Sequence, residues 1–91
     1  MVNQPYQQSV INNKIVRQFS GTVLQKELIW HRDAKDRYAK VISGKGWQIQ
    51  LDNLLPVEMK VNKIYYIPKL VPHRIIKGEG DLVVEIEERN V

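Results

Sequence analysis

Apolar and polar residues alternate with a period of two in several short segments of the chain. The pattern is strictest at residues 47–51, where Trp47, Ile49 and Leu51 are separated by Gln48 and Gln50. Successive side chains of a β-strand point to opposite faces, so this segment is predicted to be a strand with one face in the core.

The same pattern predicts further short strands, separated by Gly, Pro, Asn and Asp residues that favour turns. These predicted strands lie at residues 14–19, 27–30, 38–43, 64–68 and 82–88, with shorter ones near 57–61 and 73–76. No segment shows the 3.6-residue period of an amphipathic helix. About eight closely spaced strands without a helix favour an all-β sandwich or barrel.

The length of 91 residues fits one domain with one compact core. Residues 1–13 are polar and rich in Gln and Asn, and they are expected to form a loose N-terminal arm before a domain spanning 14–91. The chain has no cysteine, which excludes a disulfide scaffold and a thiolate zinc site. Small domains often gain stability by association, so a homodimer is expected, with residues 14–19 near its interface.

Charge and hydropathy indicate which kinds of partner the protein is not expected to bind. The net charge is +4, but the basic residues are scattered and show no stripe with interleaved aromatic residues, so no nucleic-acid partner is expected. No apolar run approaches the ~20 residues of a membrane span, and the first residues lack the pattern of a signal peptide. A cytoplasmic protein without a membrane partner is therefore expected.

Residues that could bind a metal ion or a ligand are concentrated at positions 30–37, whose sequence is WHRDAKDR. On a strand His31 and Asp33 would share one face, and His73 follows some forty residues later, after a proline-containing loop. Two histidines and one carboxylate are the donors of a facial triad, which leaves coordination positions open on a metal ion. The metal would be Fe, Ni, Mn or Zn, because imidazole suits these ions.

The spacing of these residues resembles the motifs of the cupin family. The first cupin motif ends H-x-H-x3-E-x6-G, and the matching positions here are His31, Asp33, Arg37 and Gly44. The second motif, G-x5-P-x-G-x2-H-x3-N, keeps its proline at Pro68 and its histidine at His73. The final third of the chain also looks like the cupin domain of type II mannose-6-phosphate isomerases. The resemblance implies a small single-domain cupin, a double-stranded β-helix or jelly-roll barrel.

The resemblance also implies a metal site of three histidines and one glutamate, and here it is degenerate. Arg37 stands where the family has its glutamate, and a guanidinium cannot ligate a metal. At ~5 Å from a divalent ion it would cost roughly 7 kcal/mol at an effective dielectric of about 20, unless an acid such as Asp33 or Asp36 neutralised it. An Asp33–Arg37 ion pair could equally fill the place of the metal, so a metal-bound and a metal-free site both stay open.

Three functions fit the sequence. The first is a small cupin that binds a small polar ligand, such as a sugar or carboxylic acid, in the barrel mouth, where Arg37, Gln48 and Tyr66 are the candidate ligand-binding residues. The second is a metal-dependent enzyme, an isomerase, epimerase or dioxygenase, that uses His31, Asp33 and His73. The third is a non-catalytic interaction or regulatory module. The sequence names neither a substrate nor catalytic residues.

Overall fold

The computed structural model describes residues 4–89, which form eight β-strands and one short 3₁₀ turn. The strands are β1 (Tyr6–Ile11), β2 (Lys14–Phe19), β3 (Asp36–Lys45), β4 (Gln48–Leu51), β5 (Val57–Glu58), β6 (Ile64–Ile67), β7 (His73–Ile76) and β8 (Glu79–Arg89), and the 3₁₀ turn is Gln25–Glu27. Within this range no helix is long and apolar enough to span a membrane.

The strands form two antiparallel sheets. The larger sheet has the order β1-β2-β8-β3-β6, and the smaller has the order β5-β4-β7. β8 pairs with both β2 and β3 and is therefore the central strand of the larger sheet. The all-β architecture predicted from the period-two pattern is confirmed.

The core lies between the two sheets and follows from the alternation in the sequence. Along β8, Leu82, Val84 and Ile86 are buried, while the residues between them are only partly covered. From the smaller sheet, Ile49 is buried, and the adjoining Trp47 is fully enclosed, with its indole N–H donating to the carbonyl of Gly80 at 3.2 Å. The sheets enclose a cavity of about 360 Å³ that is lined mainly by apolar side chains from both.

The prediction of a strand at residues 27–30 is wrong. The chain there forms the 3₁₀ turn Gln25–Glu27 and an irregular segment, in which Leu28 is buried and Trp30 is largely exposed. A side-chain contact explains the difference, because the Glu27 carboxylate accepts a hydrogen bond from the backbone N–H of Leu24 at 2.9 Å. Such a local cap competes with strand pairing.

The polar segment at the N-terminus also differs from the expected loose arm, because Tyr6–Ile11 is a regular strand paired with β2. Asn12 and Asn13 join the two strands with φ angles of 51° and 66°, the left-handed pair that a two-residue hairpin of type I′ requires. β1 is therefore an edge of the larger sheet, and β2 lies inside it. The domain boundary at residue 13 and the homodimer stay predictions.

Candidate metal centre

His31 and His73 are held together by their backbones. Each N–H donates to the other residue's carbonyl, at 3.0 Å from His31 and 2.9 Å from His73, which makes an isolated antiparallel bridge at the start of β7. Residues that face each other across such a bridge place their side chains side by side. The two imidazole centroids accordingly lie 4.3 Å apart.

Both imidazoles are oriented in the same way by a carbonyl two residues earlier. Nδ1 of His31 lies 3.0 Å from the carbonyl oxygen of Ile29, and Nδ1 of His73 lies 2.9 Å from that of Val71. A carbonyl can only accept, so Nδ1 carries the proton and donates it, which leaves Nε2 of a neutral ring with a free lone pair. Metal-ligating histidines are usually fixed by this type of second hydrogen bond.

The Asp33 carboxylate lies beside the Nε2 atoms of both rings. Its Oδ2 is 3.1 Å from Nε2 of His73, and its Oδ1 is 3.9 Å from Nε2 of His31. Oδ2 is buried and has no hydrogen-bond partner, because its contact with His73 lacks hydrogen-bond geometry. Two atoms with lone pairs therefore face each other inside the protein, and a cation between them would satisfy both.

The donor pair of Asp33 and His73 has the spacing of two ligands on one metal ion. Ligands at about 2.1 Å from an ion and at right angles to each other are about 3.0 Å apart, close to the 3.1 Å between Nε2 of His73 and Oδ2 of Asp33. One donor atom from each of His31, Asp33 and His73 can be chosen so that all lie within 4.8 Å of one another. His31 is the most exposed of the three, so its ring has room to adjust.

The Asp33 carboxyl is in the form that a metal requires. Burial raises its pKa, but the contact with His73 and the charge of Arg37 outweigh burial, and the pKa of Asp33 is lowered from its ordinary value. The side chain is therefore ionised at neutral pH although it is largely enclosed.

Arg37 makes its stronger ion pair with a residue other than Asp33. Its Nη1 lies 3.3 Å from Oδ1 of Asp33, but Nη2 and Nε both reach Oε2 of Glu88, at 2.8 and 2.9 Å. Arg37 and Glu88 face each other in the β3–β8 register. Asp36, the other expected partner, instead accepts hydrogen bonds from the backbone N–H of Lys69 and the hydroxyl of Tyr66. Glu88 therefore neutralises much of the arginine charge beside the candidate metal site.

The sequence matches no protein-family model and no curated protein. Solved structures do match. A cupin-2 domain protein from Shewanella frigidimarina superposes with a TM-score of 0.67 at 25% identity, over 97% of this chain and 85% of that chain. A proposed mannose-6-phosphate isomerase from Ralstonia eutropha superposes with a TM-score of 0.71 at 16% identity, over 94% and 83% of the two chains.

This protein has the fold of a small single-domain cupin. The same domain also matches a part of a longer chain: a DMSP lyase superposes with a TM-score of 0.74 at 15% identity, over 86% of this cupin but only 38% of the lyase chain. At such identity the similarity concerns the fold, and the chemistry has to be argued from the residues of this cupin.

Two of the predicted ligand-binding residues lie outside the barrel cavity of this cupin. Gln48 points away from it, because its neighbour Ile49 takes the buried position on β4. Tyr66 is exposed and stacks on Tyr38, because Ile67 takes the inward position at the end of β6. Gln48 and Tyr66 therefore do not line this cavity with Arg37, since the strand register is the reverse of the one that the prediction needed, and a role for them in ligand binding stays a prediction.

Two charged residues near the site were not predicted. Glu88 continues the inward series of Leu82, Val84 and Ile86 along β8, so the alternation alone could have placed it at the rim. Arg17 lies between Ile15 and Phe19 on β2 and lines the cavity. In both cases the signal was an ionisable residue in an otherwise apolar period-two series.

Proposed function

We propose that this cupin holds one divalent transition-metal ion with Nε2 of His31, a carboxylate oxygen of Asp33 and Nε2 of His73, and binds a small polar ligand beside it. The observation that carries the proposal is the pair of facing acceptors, Oδ2 of Asp33 and Nε2 of His73, at 3.1 Å. A buried arrangement of this kind is unfavourable unless a cation joins the two atoms.

Two histidines and one carboxylate are the donors of the facial triad, which is typical of non-haem Fe(II) sites, although Ni, Mn and Zn also accept these ligands. Such an ion would supply Lewis acidity to a bound oxygen atom, and redox chemistry if it were iron. Three protein ligands would leave coordination positions free for a small ligand with an oxygen donor. This supports the metal-dependent enzyme among the functions considered from the sequence.

The protein's own residues prepare the site in three ways. The backbone carbonyls of Ile29 and Val71 hold both rings with Nε2 toward Asp33. Glu88 draws the charge of Arg37 away from the donors. The largely apolar lining from both sheets offers a surface for the hydrocarbon part of a ligand.

A metal-free ligand site is the second candidate, and it also rests on an observation. Nη1 of Arg37 lies 3.3 Å from Oδ1 of Asp33, and a doubly protonated His73 would place a positive charge 3.1 Å from Oδ2. In that state the cupin would bind a polar ligand through Arg37 and the histidines alone.

Metal analysis separates the two candidates. The purified protein is treated with EDTA, dialysed against Fe(II), Ni(II), Mn(II) or Zn(II) without oxygen, and analysed for bound metal. The proposal predicts one equivalent per chain for at least one ion, and loss of binding in His73→Ala. Less than a tenth of an equivalent for every ion, with a folded protein, would leave the metal-free site as the better account.

A further inference from the structure

The inner face of β2 carries a cation that the proposed metal site does not use. Arg17 lies between Ile15 and Phe19, and across the sheet it faces Val84 of β8. Its neighbours in the two series are apolar residues that belong to the core or pack on it. Arg17 lines the same cavity as His31, Asp33 and His73.

Arg17 is held in place by neutral groups. Its Nε donates to Oε1 of Gln8 at 2.6 Å, and its guanidinium carbon lies 4.2 Å from the centre of the Tyr6 ring. No carboxylate in residues 4–89 lies within 4.0 Å of a charged nitrogen of Arg17. The acids in or beside the cavity have other partners: Glu27 accepts from the backbone N–H of Leu24, Glu88 pairs with Arg37, and Asp33 contacts His73 and Arg37.

This environment disfavours the charge that Arg17 carries. Burial lowers the pKa of Arg17 from its ordinary value and is the largest cause; Tyr6, Asp33 and Glu88 raise it, and the charge of Arg37 lowers it. An arginine still stays protonated, so a half-buried guanidinium stacked on an aromatic ring offers donors for a planar anion.

The charge balance of the cavity also favours an anionic ligand. The guanidinium groups of Arg17 and Arg37 stand against the carboxylates of Glu27, Asp33 and Glu88, so a divalent ion at the proposed site would leave a surplus of one positive charge. An anionic ligand would reduce that surplus. The cavity volume of about 360 Å³ is at the lower end of the range for ligand sites, and its lining is largely apolar, which suits a small ligand with a hydrocarbon body.

We propose that Arg17 binds the carboxylate of a small ligand whose apolar body occupies the barrel cavity of this cupin. The inference deepens the proposed function, because it assigns the ligand class of the same cavity, but Arg17 would bind a carboxylate with or without a metal ion. It adds a residue and a chemical class, small carboxylates with aliphatic or aromatic bodies, to the function stated above.

The experiment measures binding of 4-methylpentanoate and benzoate, each against its neutral amide, to EDTA-treated and metal-loaded protein by protein-observed NMR titration. The acids are expected to bind at least about tenfold more tightly than the amides, because hydrogen bonds to charged groups are the stronger ones. Arg17→Gln should remove this preference and Arg17→Lys should keep part of it. The matched control is Lys14→Gln, which removes the same charge from an exposed position of the same strand.

Two results would overturn the inference: acid and amide binding equally to the wild-type protein, including no binding of either, or Arg17→Gln retaining the preference. Thermal unfolding of Arg17→Gln checks that the variant is folded. The two metal states separate this proposal from the proposed function. Arg17-dependent binding that persists after EDTA, in a protein that takes up no metal, supports the present inference and rejects the metal site. Uptake of metal without any preference for the acids supports the metal site and rejects the present inference.

Discussion

Nε2 of His73 and Oδ2 of Asp33 lie 3.1 Å apart, with no hydrogen bond between them. The proton of the His73 ring is directed to the carbonyl of Val71 on its other nitrogen, so both facing atoms carry lone pairs. A metal ion between them would relieve the repulsion of the two lone pairs. The charges of Arg37 and Glu88 beside the site then determine how strongly the ion is bound.

Asp33→Asn tests the carboxylate ligand. The amide keeps the shape of the side chain but removes the negative charge, and its nitrogen would turn one acceptor into a donor. Loss of an outer-shell partner of a metal typically lowers affinity by 10–100-fold, so loss of a direct ligand should lower it by at least about a hundredfold. Isothermal titration with Zn(II) measures the change. Asp52→Asn, at an exposed turn, is the control and should bind as the wild type does.

Glu88→Gln tests whether the ion pair with Arg37 protects the site, although Glu88 is not among the proposed ligands. Without the carboxylate, Arg37 keeps only Asp33 as its acidic partner, and its charge then acts fully on the metal. Metal affinity is expected to fall about tenfold. Glu87→Gln, which removes an acid paired with Arg89 on the other face of β8, should change it little. Equal effects of the two variants would mean that only net charge matters.

Arg37→Glu introduces the residue type that the cupin motif has at this position. We expect Zn(II) affinity to rise at least about tenfold, because a repelling cation is replaced by a fourth possible ligand. The EDTA-treated variant should be less stable by about 1–3 kcal/mol, since three carboxylates then lie close together without their arginine. Chemical denaturation with and without Zn(II) measures both effects. Unchanged affinity would show that position 37 does not face the metal.

The sequence was sufficient to predict the positions that define the site but not all of its contacts. His31, Asp33 and His73 follow from strand alternation and motif spacing, and the structure brings them together. The structural reason for their convergence is partly different from the one predicted, however. His31 and Asp33 lie outside regular strands, and a backbone bridge to β7 aligns His31 with His73.

The residues around the site depend on pairing between distant strands, which a local pattern does not contain. The Arg37–Glu88 pair requires the β3–β8 register, and the sequence had suggested only Asp33 and Asp36 as partners. Gln48 and Tyr66 were assigned to the wrong side because alternation determines which residues share a face but not which face is buried. The buried neighbours Ile49 and Ile67 decide that question in the folded protein.

Acid should weaken one contact far from the metal site. Asp81 accepts hydrogen bonds from the backbone N–H of Gly21 at 2.6 Å and from Gln18 at 2.9 Å, and these bonds lower its pKa. A carboxyl whose pKa is lowered by folding stabilises the native state above its unfolded pKa of about 3.9, and this contribution is lost as the pH falls through the lower folded value. The stability difference between the wild type and Asp81→Asn should therefore shrink below about pH 4. A constant difference between pH 7 and pH 2 would contradict the assignment.

The most direct test of the central claim is nitrogen NMR of the two histidine rings, which are the only histidines in the chain. At neutral pH without metal, both rings are predicted to carry their proton on Nδ1. One equivalent of Zn(II) should then shift the Nε2 resonances of His31 and His73 together while Nδ1 stays protonated, and the Asp33→Asn variant should lose this response. Unchanged Nε2 resonances of His73 in excess Zn(II), in a folded protein, would contradict a metal site formed by these three residues.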